Sequence, residues 1–260
     1  MSDIDVIKQA NAIKRAQKIA RKAALEQRRQ YVPKDLPLMN ERYTLICSDI
    51  RDAVIESESI DCIITDPPYP ALYIDSFKYL AEAAMKWLKP GGSLLTMSGQ
   101  SYLPGVLQRL TSVNGLNYHW TLAYLTPGGQ AVQVFPRKVN TFWKPVFWFV
   151  KGEYKEHWIG DVTKSAVNDN DKRFHGWGQS ESGMFDIINR VTFPGQRILD
   201  PFVGGGTTGV VAVATNRLFT GIDISQDAII TTASRLKELV IKCSGTHAGP
   251  RCADPECWNQ

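Results

Sequence analysis

Short, β-rich apolar runs alternate with segments of helical periodicity along most of this chain, and this alternation constrains its fold more than any other feature. The runs Thr44–Ser48 and Ile60–Thr65 have the continuous apolar character of strands buried on both faces. Ser76–Leu88 then has helical spacing, and Lys89–Gly92 predicts a turn. Further strands are predicted at Ser93–Met97, Tyr118–Leu125, Pro145–Val150, Arg197–Leu199 and Leu218–Ile222, and further helices at 101–113, Met184–Val191, from Thr207, and at Gln226–Ile241. The alternation predicts an α/β fold with a doubly wound, mostly parallel sheet.

The length and composition suit an ordinary water-soluble globular protein. With 260 residues, 43% of them hydrophobic, the chain can bury one α/β core with one insertion, or two unequal domains. No apolar run approaches the roughly 20 residues that span a bilayer, and no apolar signal core follows the N-terminus. We therefore expect a cytoplasmic protein with no membrane partner. Cys47 and Cys62 fall in strand-like segments, which argues against a disulfide framework.

The positive charge of the chain is concentrated at its start. Residues 1–30 hold eight Lys or Arg and three acids, which gives this segment a net charge of +5. Because the whole chain has a net charge of +4, the remaining residues together carry −1. The same segment has an amphipathic helical pattern and is predicted to be a basic helical arm. Two interpretations remain open: an arm that follows phosphates and depends steeply on salt, and a solvated helix that covers the core with its apolar side.

A glycine-rich loop predicts a nucleotide-like cofactor. Asp200-Pro-Phe-Val-Gly-Gly-Gly206 lies between a predicted strand and a predicted helix, and it contains Gly204-x-Gly206-x-x-Gly209. Glycines there allow a ligand to approach the start of the helix. Asp223 ends the next strand, where a carboxylate can accept hydrogen bonds from ribose hydroxyls. The loop does not distinguish NAD from S-adenosylmethionine. The alternatives are a glycine turn that only packs helix on strand, and an Asp223 that caps the following helix.

The tetrapeptide Asp66-Pro67-Pro68-Tyr69 predicts a site for an amino group. It follows a buried strand, at the edge of an open sheet where ligands bind. Each proline removes an N–H group and stiffens the loop, which leaves acceptors and an aromatic ring. The Asp66 carboxylate and the Pro67 carbonyl can accept the two hydrogens of an exocyclic amine, which frees its lone pair for a sulfonium methyl group. Tyr69 offers a stacking face for a base rotated out of the duplex. A turn with an aspartate cap is the alternative.

Together, Asp-Pro-Pro-Tyr and Asp-Pro-Phe-x-Gly-x-Gly resemble the S-adenosylmethionine-dependent DNA amino-methyltransferases, the N6-adenine/N4-cytosine family. The catalytic motif precedes the cofactor loop here, which resembles the permuted β group. The resemblance runs from about Tyr43 to Leu236. It implies a Rossmann-like methyltransferase fold and S-adenosylmethionine as the cofactor. The cofactor contacts that it implies are Asp49, Asp200, Phe202, Gly204, Gly206, Thr207 and Asp223.

One landmark departs from the family pattern. A Gln-Lys-Pro-like stretch usually precedes the strand of the cofactor loop, and Gln179-Ser180-Glu181 stands there in this chain. The lysine is missing, so we expect Ser180 or the backbone to contact the methionine end of the cofactor.

The resemblance also implies the domain organisation and the substrate. Residues 31–125 and 179–242 would form the permuted core, and 126–178 a target-recognition insertion that contacts DNA through basic and aromatic side chains. A solvated surface with core aromatics is the alternative for each of these side chains. In the family an Asp at the tetrapeptide goes more often with adenine, so N6-adenine is preferred and N4-cytosine stays open. The basic residues are Arg137, Lys138, Lys144, Lys151, Lys155, Lys164, Lys172 and Arg173, and the aromatic ones are Phe135, Trp143, Tyr154, Trp158, Phe174 and Trp177.

Other functions remain as alternatives. An RNA or protein amino-methyltransferase shares the chemistry, although amide-modifying enzymes usually show Asn-Pro-Pro-Tyr. An NAD-binding oxidoreductase would use the glycine loop but leave Asp66 without a role. A homodimer is compatible with the sequence, and no nuclease motif is present.

The C-terminal tail, residues 243–260, holds four soft metal ligands. Cys243, His247, Cys252 and Cys257 fit a structural zinc site, which needs four such ligands. The usual Cys-x2-Cys spacing is absent, so a disordered tail is the alternative.

Overall fold

A computed structural model describes residues 38–68, 71–125, 132–134, 137–166 and 180–245. In these residues it contains ten strands and five α-helices, with short 3-10 turns at Ala71–Tyr73 and Gln100–Tyr102. The strands are β1 (Tyr43–Cys47), β2 (Ile60–Thr65), β3 (Leu88–Met97), β4 (Leu116–Leu125), β5 (Val132–Val134), β6 (Val139–Thr141), β7 (Trp143–Lys151), β8 (Val162–Lys164), β9 (Arg197–Asp200) and β10 (Leu218–Asp223). The helices are α1 (Ser76–Trp87), α2 (Leu103–Leu110), α3 (Glu181–Val191), α4 (Thr207–Ala214) and α5 (Gln226–Gly245).

Eight strands form one sheet, in the order β1-β10-β9-β2-β3-β7-β4-β8. The first five of these are mutually parallel, β7 is antiparallel to both of its neighbours, and β8 runs parallel to β4. Strands β5 and β6 pair separately as an antiparallel hairpin. The predicted α/β class with a mostly parallel sheet is therefore confirmed.

The core forms where helices cover the sheet. On α1, Phe77, Leu80, Ala84 and Trp87 are buried, a spacing that places them on one helix face. They pack with side chains of β2, β3 and β7 in a single hydrophobic cluster. Helix α4 is buried at every position. A Cβ atom added at Gly209 would lie 2.5 Å from the Phe219 ring. Helix α4 can therefore pack this closely against β10 only because residue 209 is a glycine.

One predicted turn was wrong, and one strand of the core falls within the predicted insertion. Lys89–Gly92 is not a turn between elements but the first half of β3, which pairs with β2 through a register shift between Ile60 and Cys62. Gly91, with φ +82°, allows this irregular path. The predicted insertion 126–178 contains β7, which lies between β3 and β4 in the main sheet. Its residues Pro145–Val150 are all buried, and the core therefore includes this strand.

The predicted basic arm, residues 1–30, lies outside the described residues. No helix within the described ranges is both long enough and apolar enough to cross a membrane.

Candidate active site

The two sequence motifs meet at the carboxyl edge of the parallel strands. Strands β2 and β9 are neighbours, with Cys62 opposite Ile198 and Ile63 opposite Leu199. The Thr65 hydroxyl donates a hydrogen bond of 2.7 Å to Oδ1 of Asp200. The residue before Asp66 is therefore bonded to the first residue of the glycine-rich loop, although 135 residues separate the two in the chain.

Asp200 is a buried residue at this edge of the sheet. Its side chain is 3% exposed, and it also accepts the Phe202 N–H at 3.1 Å and a bond from the Thr208 hydroxyl. Burial raises the pKa of the carboxyl to about 6, although these hydrogen bonds lower it. The family motif predicts a cofactor contact for Asp200, whereas its carboxylate is bonded to Thr65, Thr208 and the loop backbone.

The glycine-rich loop adopts a conformation that only glycine accepts readily. Gly204 and Gly206 have φ of +50° and +80°, and a Cβ atom at Gly206 would lie 2.7 Å from Oγ1 of Thr232. Helix α4 begins immediately afterwards at Thr207, so its first N–H groups face the loop. Phe202, also predicted to contact the cofactor, is partly buried and packs against the hydrophobic cluster.

Asp223 joins the end of β10 to the glycine loop. Its Oδ2 accepts the Gly204 N–H at 2.9 Å, and its Oδ1 accepts the Ser225 N–H at 2.8 Å. Each carboxylate oxygen has two lone pairs, so both retain capacity for a further donor. The alternative that Asp223 caps the next helix does not match the structure, because α5 begins at Gln226 and the Ser225 hydroxyl accepts the Ala228 N–H.

Asp49 follows β1 at the same edge. The Ser48 N–H donates to the Asp223 carbonyl at 3.0 Å, which brings the two strand ends together. Arg51 binds Asp49 through Nε and Nη2, both at 2.8 Å, and through its own backbone N–H. These bonds lower the pKa of the Asp49 carboxyl to about 2. An apolar side chain that sequence analysis missed, Ile224, lies next to Asp223 and is 73% exposed.

Asp66 lies at the end of β2 with a cation beside it. Lys144 Nζ is 3.3 Å from Asp66 Oδ2, and the two side chains are 26% and 17% exposed. Lys144 comes from the start of β7, which is antiparallel to β3 and therefore begins at the carboxyl edge of the sheet. Pro67 is buried and Pro68 exposed, while Tyr69 lies outside the described residues. No local sequence signal indicates that Lys144 belongs with Asp66.

The segment that replaces the family's Gln-Lys-Pro stretch touches the cofactor loop indirectly. Ser180 is buried, and its hydroxyl accepts the Gly183 N–H at 3.0 Å as the N-cap of α3. Arg235 of α5 bonds both the Glu181 carboxylate and the Gly205 carbonyl. The contact of Ser180 with the cofactor stays a prediction, whereas Glu181 is placed to hold the loop through Arg235.

The other predicted DNA-contacting side chains are dispersed. Lys151 donates to Glu58 and to the Leu88 carbonyl, so it lies at the opposite edge of the sheet from Asp66. Tyr154 packs against Trp148 and His119, as an aromatic residue of the sheet surface. Residues 167–179, and Phe135 with them, lie outside the described residues.

The predicted zinc ligands stay untested. Cys243 falls in the last turns of α5, where side chains are not described, and His247, Cys252 and Cys257 lie outside the described residues. Elsewhere in the part of the chain that the structure describes, no cluster of three or more His, Cys, Asp or Glu side chains could hold a metal ion.

Known proteins are similar to this chain in sequence. The chain is 26% identical over 233 residues to the type II methyltransferase M2.DpnII of Streptococcus pneumoniae, covering 70% of this chain and 84% of that protein. It is 24% identical over 250 residues to the DNA adenine methyltransferase YhdJ of Escherichia coli (strain K12), covering 76% of this chain and 83% of that protein.

Two solved structures share its fold. The M1.HpyAVI–SAM complex superposes with a TM-score of 0.63 at 21% identity, covering 75% of this chain and 98% of that one. The cytosine-N4-specific PvuII DNA methyltransferase superposes with a TM-score of 0.62 at 19% identity, covering 78% of this chain and 92% of that one. The family profile described as DNA methylase matches residues 60–234, from β2 into α5. Because that match spans more than half of the chain, the protein belongs to the N6/N4 DNA methylase family.

Proposed function

We propose that this protein transfers the methyl group of S-adenosylmethionine to the exocyclic amino nitrogen of a DNA base, with adenine N6 preferred. The observation that carries the proposal is the Thr65–Asp200 hydrogen bond. It places the Asp-Pro-Pro end of β2 directly beside the glycine-rich loop, so an amino group and a cofactor bound at these two motifs would be neighbours. Family membership supports the reaction class.

The glycine loop and the adjacent strand ends suit an adenosine-containing cofactor. Gly204 leaves room for the ligand at the start of α4, because a Cβ added there would meet only the Phe202 carbonyl, at 3.9 Å, and the Asp223 carboxylate retains acceptor capacity for ribose hydroxyls. The exposed Ile224 offers an apolar face for the adenine ring. We assign Asp49 to the adenine amino group and Asp200 to positioning the loop. Bound S-adenosylmethionine supplies an electrophilic methyl group on a sulfonium.

Asp66 and Pro67 are assigned to the amino group that receives the methyl. The nitrogen lone pair of adenine or cytosine is delocalised into the ring, which makes the amine a weak nucleophile. Acceptors on both N–H bonds favour a tetrahedral nitrogen with a localised lone pair. The Asp66 carboxylate and the Pro67 carbonyl are two such acceptors on one short loop. Tyr69 is assigned to stack on the flipped base.

The order of the motifs supports membership of the permuted group. Asp66 follows β2 and precedes the loop after β9 in the chain, yet β2 and β9 are adjacent in the sheet. The choice of base is less constrained. Asp66 favours adenine, because family members with an Asp at this position more often modify adenine. One relative in sequence is a DNA adenine methyltransferase, whereas one of the similar folds is a cytosine-N4-specific enzyme.

The test is a methyl-transfer assay with labelled S-adenosylmethionine and DNA, followed by nucleoside analysis. We expect label in N6-methyladenine, and a loss of at least about a hundredfold in rate with Asp66→Ala, since the amine loses its charged acceptor. Glu82→Ala is the matched control, because Glu82 is an exposed acid of α1 paired only on the helix surface with Lys78. Label that survives Asp66→Ala would remove the role of Asp66, and label confined to RNA or protein would overturn the substrate.

A further inference from the structure

The ion pair between Lys144 and Asp66 is the feature of the site that the reaction chemistry does not require. Nζ and Oδ2 are 3.3 Å apart, and the two residues are 78 positions apart in the chain. Both side chains are partly exposed, so the pair lies where DNA can reach it.

The charge of the reacting centre sets a requirement for Asp66. As the N–CH3 bond forms from the amine lone pair, the S–CH3 bond breaks and sulfur keeps its electron pair. The positive charge passes from sulfur to nitrogen, and the nitrogen then loses a proton to solvent. The centre therefore carries +1 until that proton leaves. A carboxylate nearby stabilises this charge, whereas an ammonium group within a few ångströms opposes it. Asp66 acts best when Lys144 has moved away.

DNA offers Lys144 another anion. Phosphates flank a base that has been rotated out of the duplex, and lysine is a point charge on a flexible stem. The backbone at this point is held in place, because the Trp143 carbonyl accepts from Gln100 Nε2 at 2.9 Å and from the Thr141 hydroxyl at 3.0 Å. The Lys144 side chain can therefore change partners without movement of β7. Phe142 and Trp143 beside it are exposed, which leaves the approach open.

We propose that Lys144 binds a DNA phosphate beside the flipped nucleotide and, in doing so, releases the Asp66 carboxylate for the amino group. This inference rests on the proposed function, since it supposes that DNA is the substrate. In the free enzyme the Lys144 ammonium group occupies one oxygen of the Asp66 carboxylate. When DNA is bound, the phosphate replaces Asp66 as the partner of Lys144, and that oxygen can then accept a hydrogen bond from the amino group of the base.

The first experiment measures equilibrium binding to a labelled DNA duplex by fluorescence anisotropy, with S-adenosylhomocysteine present, over a series of KCl concentrations. Each phosphate contact contributes about 0.9 to the slope of log K against log salt. Lys144→Gln should reduce the magnitude of the slope by about that amount, while Lys144→Arg should preserve it. Lys78→Gln is the matched control, because Lys78 is an exposed lysine of α1 paired with Glu82, and it should leave the slope unchanged.

The second experiment is a double-mutant cycle with Asp66→Asn. If Lys144 must leave Asp66 in order to bind phosphate, removing the carboxylate charge removes the competition from Asp66 beforehand. Lys144→Gln should then cost several-fold more DNA affinity in the Asp66→Asn background than in the wild type. An equal or smaller cost would overturn the exchange of partners.

A different pattern would assign Lys144 another role. If Lys144→Gln leaves the salt slope unchanged but lowers the methylation rate, and Lys144→Arg restores the rate, the lysine only positions Asp66 and the inference is wrong. Because the first experiment measures DNA binding and not methyl transfer, its result can be told apart from the result of the methyl-transfer assay. Normal methylation with an unchanged salt slope removes only this inference, whereas the expected slope change without methyl transfer removes only the proposed reaction.

Discussion

Asp200→Asn tests how the two halves of the site are held together. Burial raises the pKa of the Asp200 carboxyl from 3.8 to about 6, so the folded protein disfavours the ionised form relative to the unfolded chain. A shift of about two units corresponds to about 3 kcal/mol, because one unit is about 1.4 kcal/mol. Asparagine has nearly the same shape and cannot ionise, so the variant lacks this cost.

The sign follows from proton binding. Between pH 3.8 and about 6 the folded state keeps a proton that the unfolded chain has lost. The contribution of Asp200 to the free energy of unfolding therefore falls as pH rises through this window, and the full cost is present above it. At about pH 7.5 Asp200→Asn should be more stable than the wild type by up to about 3 kcal/mol, and the difference should decline towards zero near pH 4.

The assay is urea unfolding at a series of pH values, with the midpoint and slope fitted at each. Glu82→Gln serves as the control, because this exposed acid of α1 should change stability by less than about 0.5 kcal/mol at any pH. A variant that is less stable than the wild type at neutral pH would refute the reasoning. So would a difference that does not depend on pH, because the Asp200 carboxyl would then bind protons equally in the folded and unfolded states.

Two further changes probe the cofactor side of the site. Gly206→Ala should destabilise the protein by at least about 1 kcal/mol in urea unfolding, because φ is +80° and the new Cβ would lie 2.7 Å from Oγ1 of Thr232; unchanged stability would contradict the loop geometry. Ile224→Ser should leave the unfolding midpoint nearly unchanged, since this side chain is exposed, yet weaken S-adenosylmethionine binding about five- to thirtyfold in calorimetry through lost apolar burial. Unaltered affinity would remove Ile224 from the adenine site.

Much of the fold could be predicted because strands and helices leave local patterns. The run Ile60–Thr65 and the helix at Ser76 were predicted within one residue of their observed bounds. The interrupted start of β3 could not be predicted, since Lys89-Pro90-Gly91-Gly92 has the composition of a turn. These four residues belong to the strand only because Leu88 before them and Ser93 after them both pair with β2. The central place of β7 was also hidden, because an aromatic-rich strand looks the same in a core and in an insertion.

By itself, the sequence determined the alternation of strands and helices, the family, and the residue types at the two motifs, since these depend on neighbours in the chain. The tertiary structure decided which side chains meet. Strand order brings Thr65 to Asp200 and Lys144 to Asp66, whereas Lys151, at the other end of β7 from Lys144, lies at the far edge of the sheet. Local periodicity contains no information on strand order, because that order is set by how distant segments bury their apolar faces together.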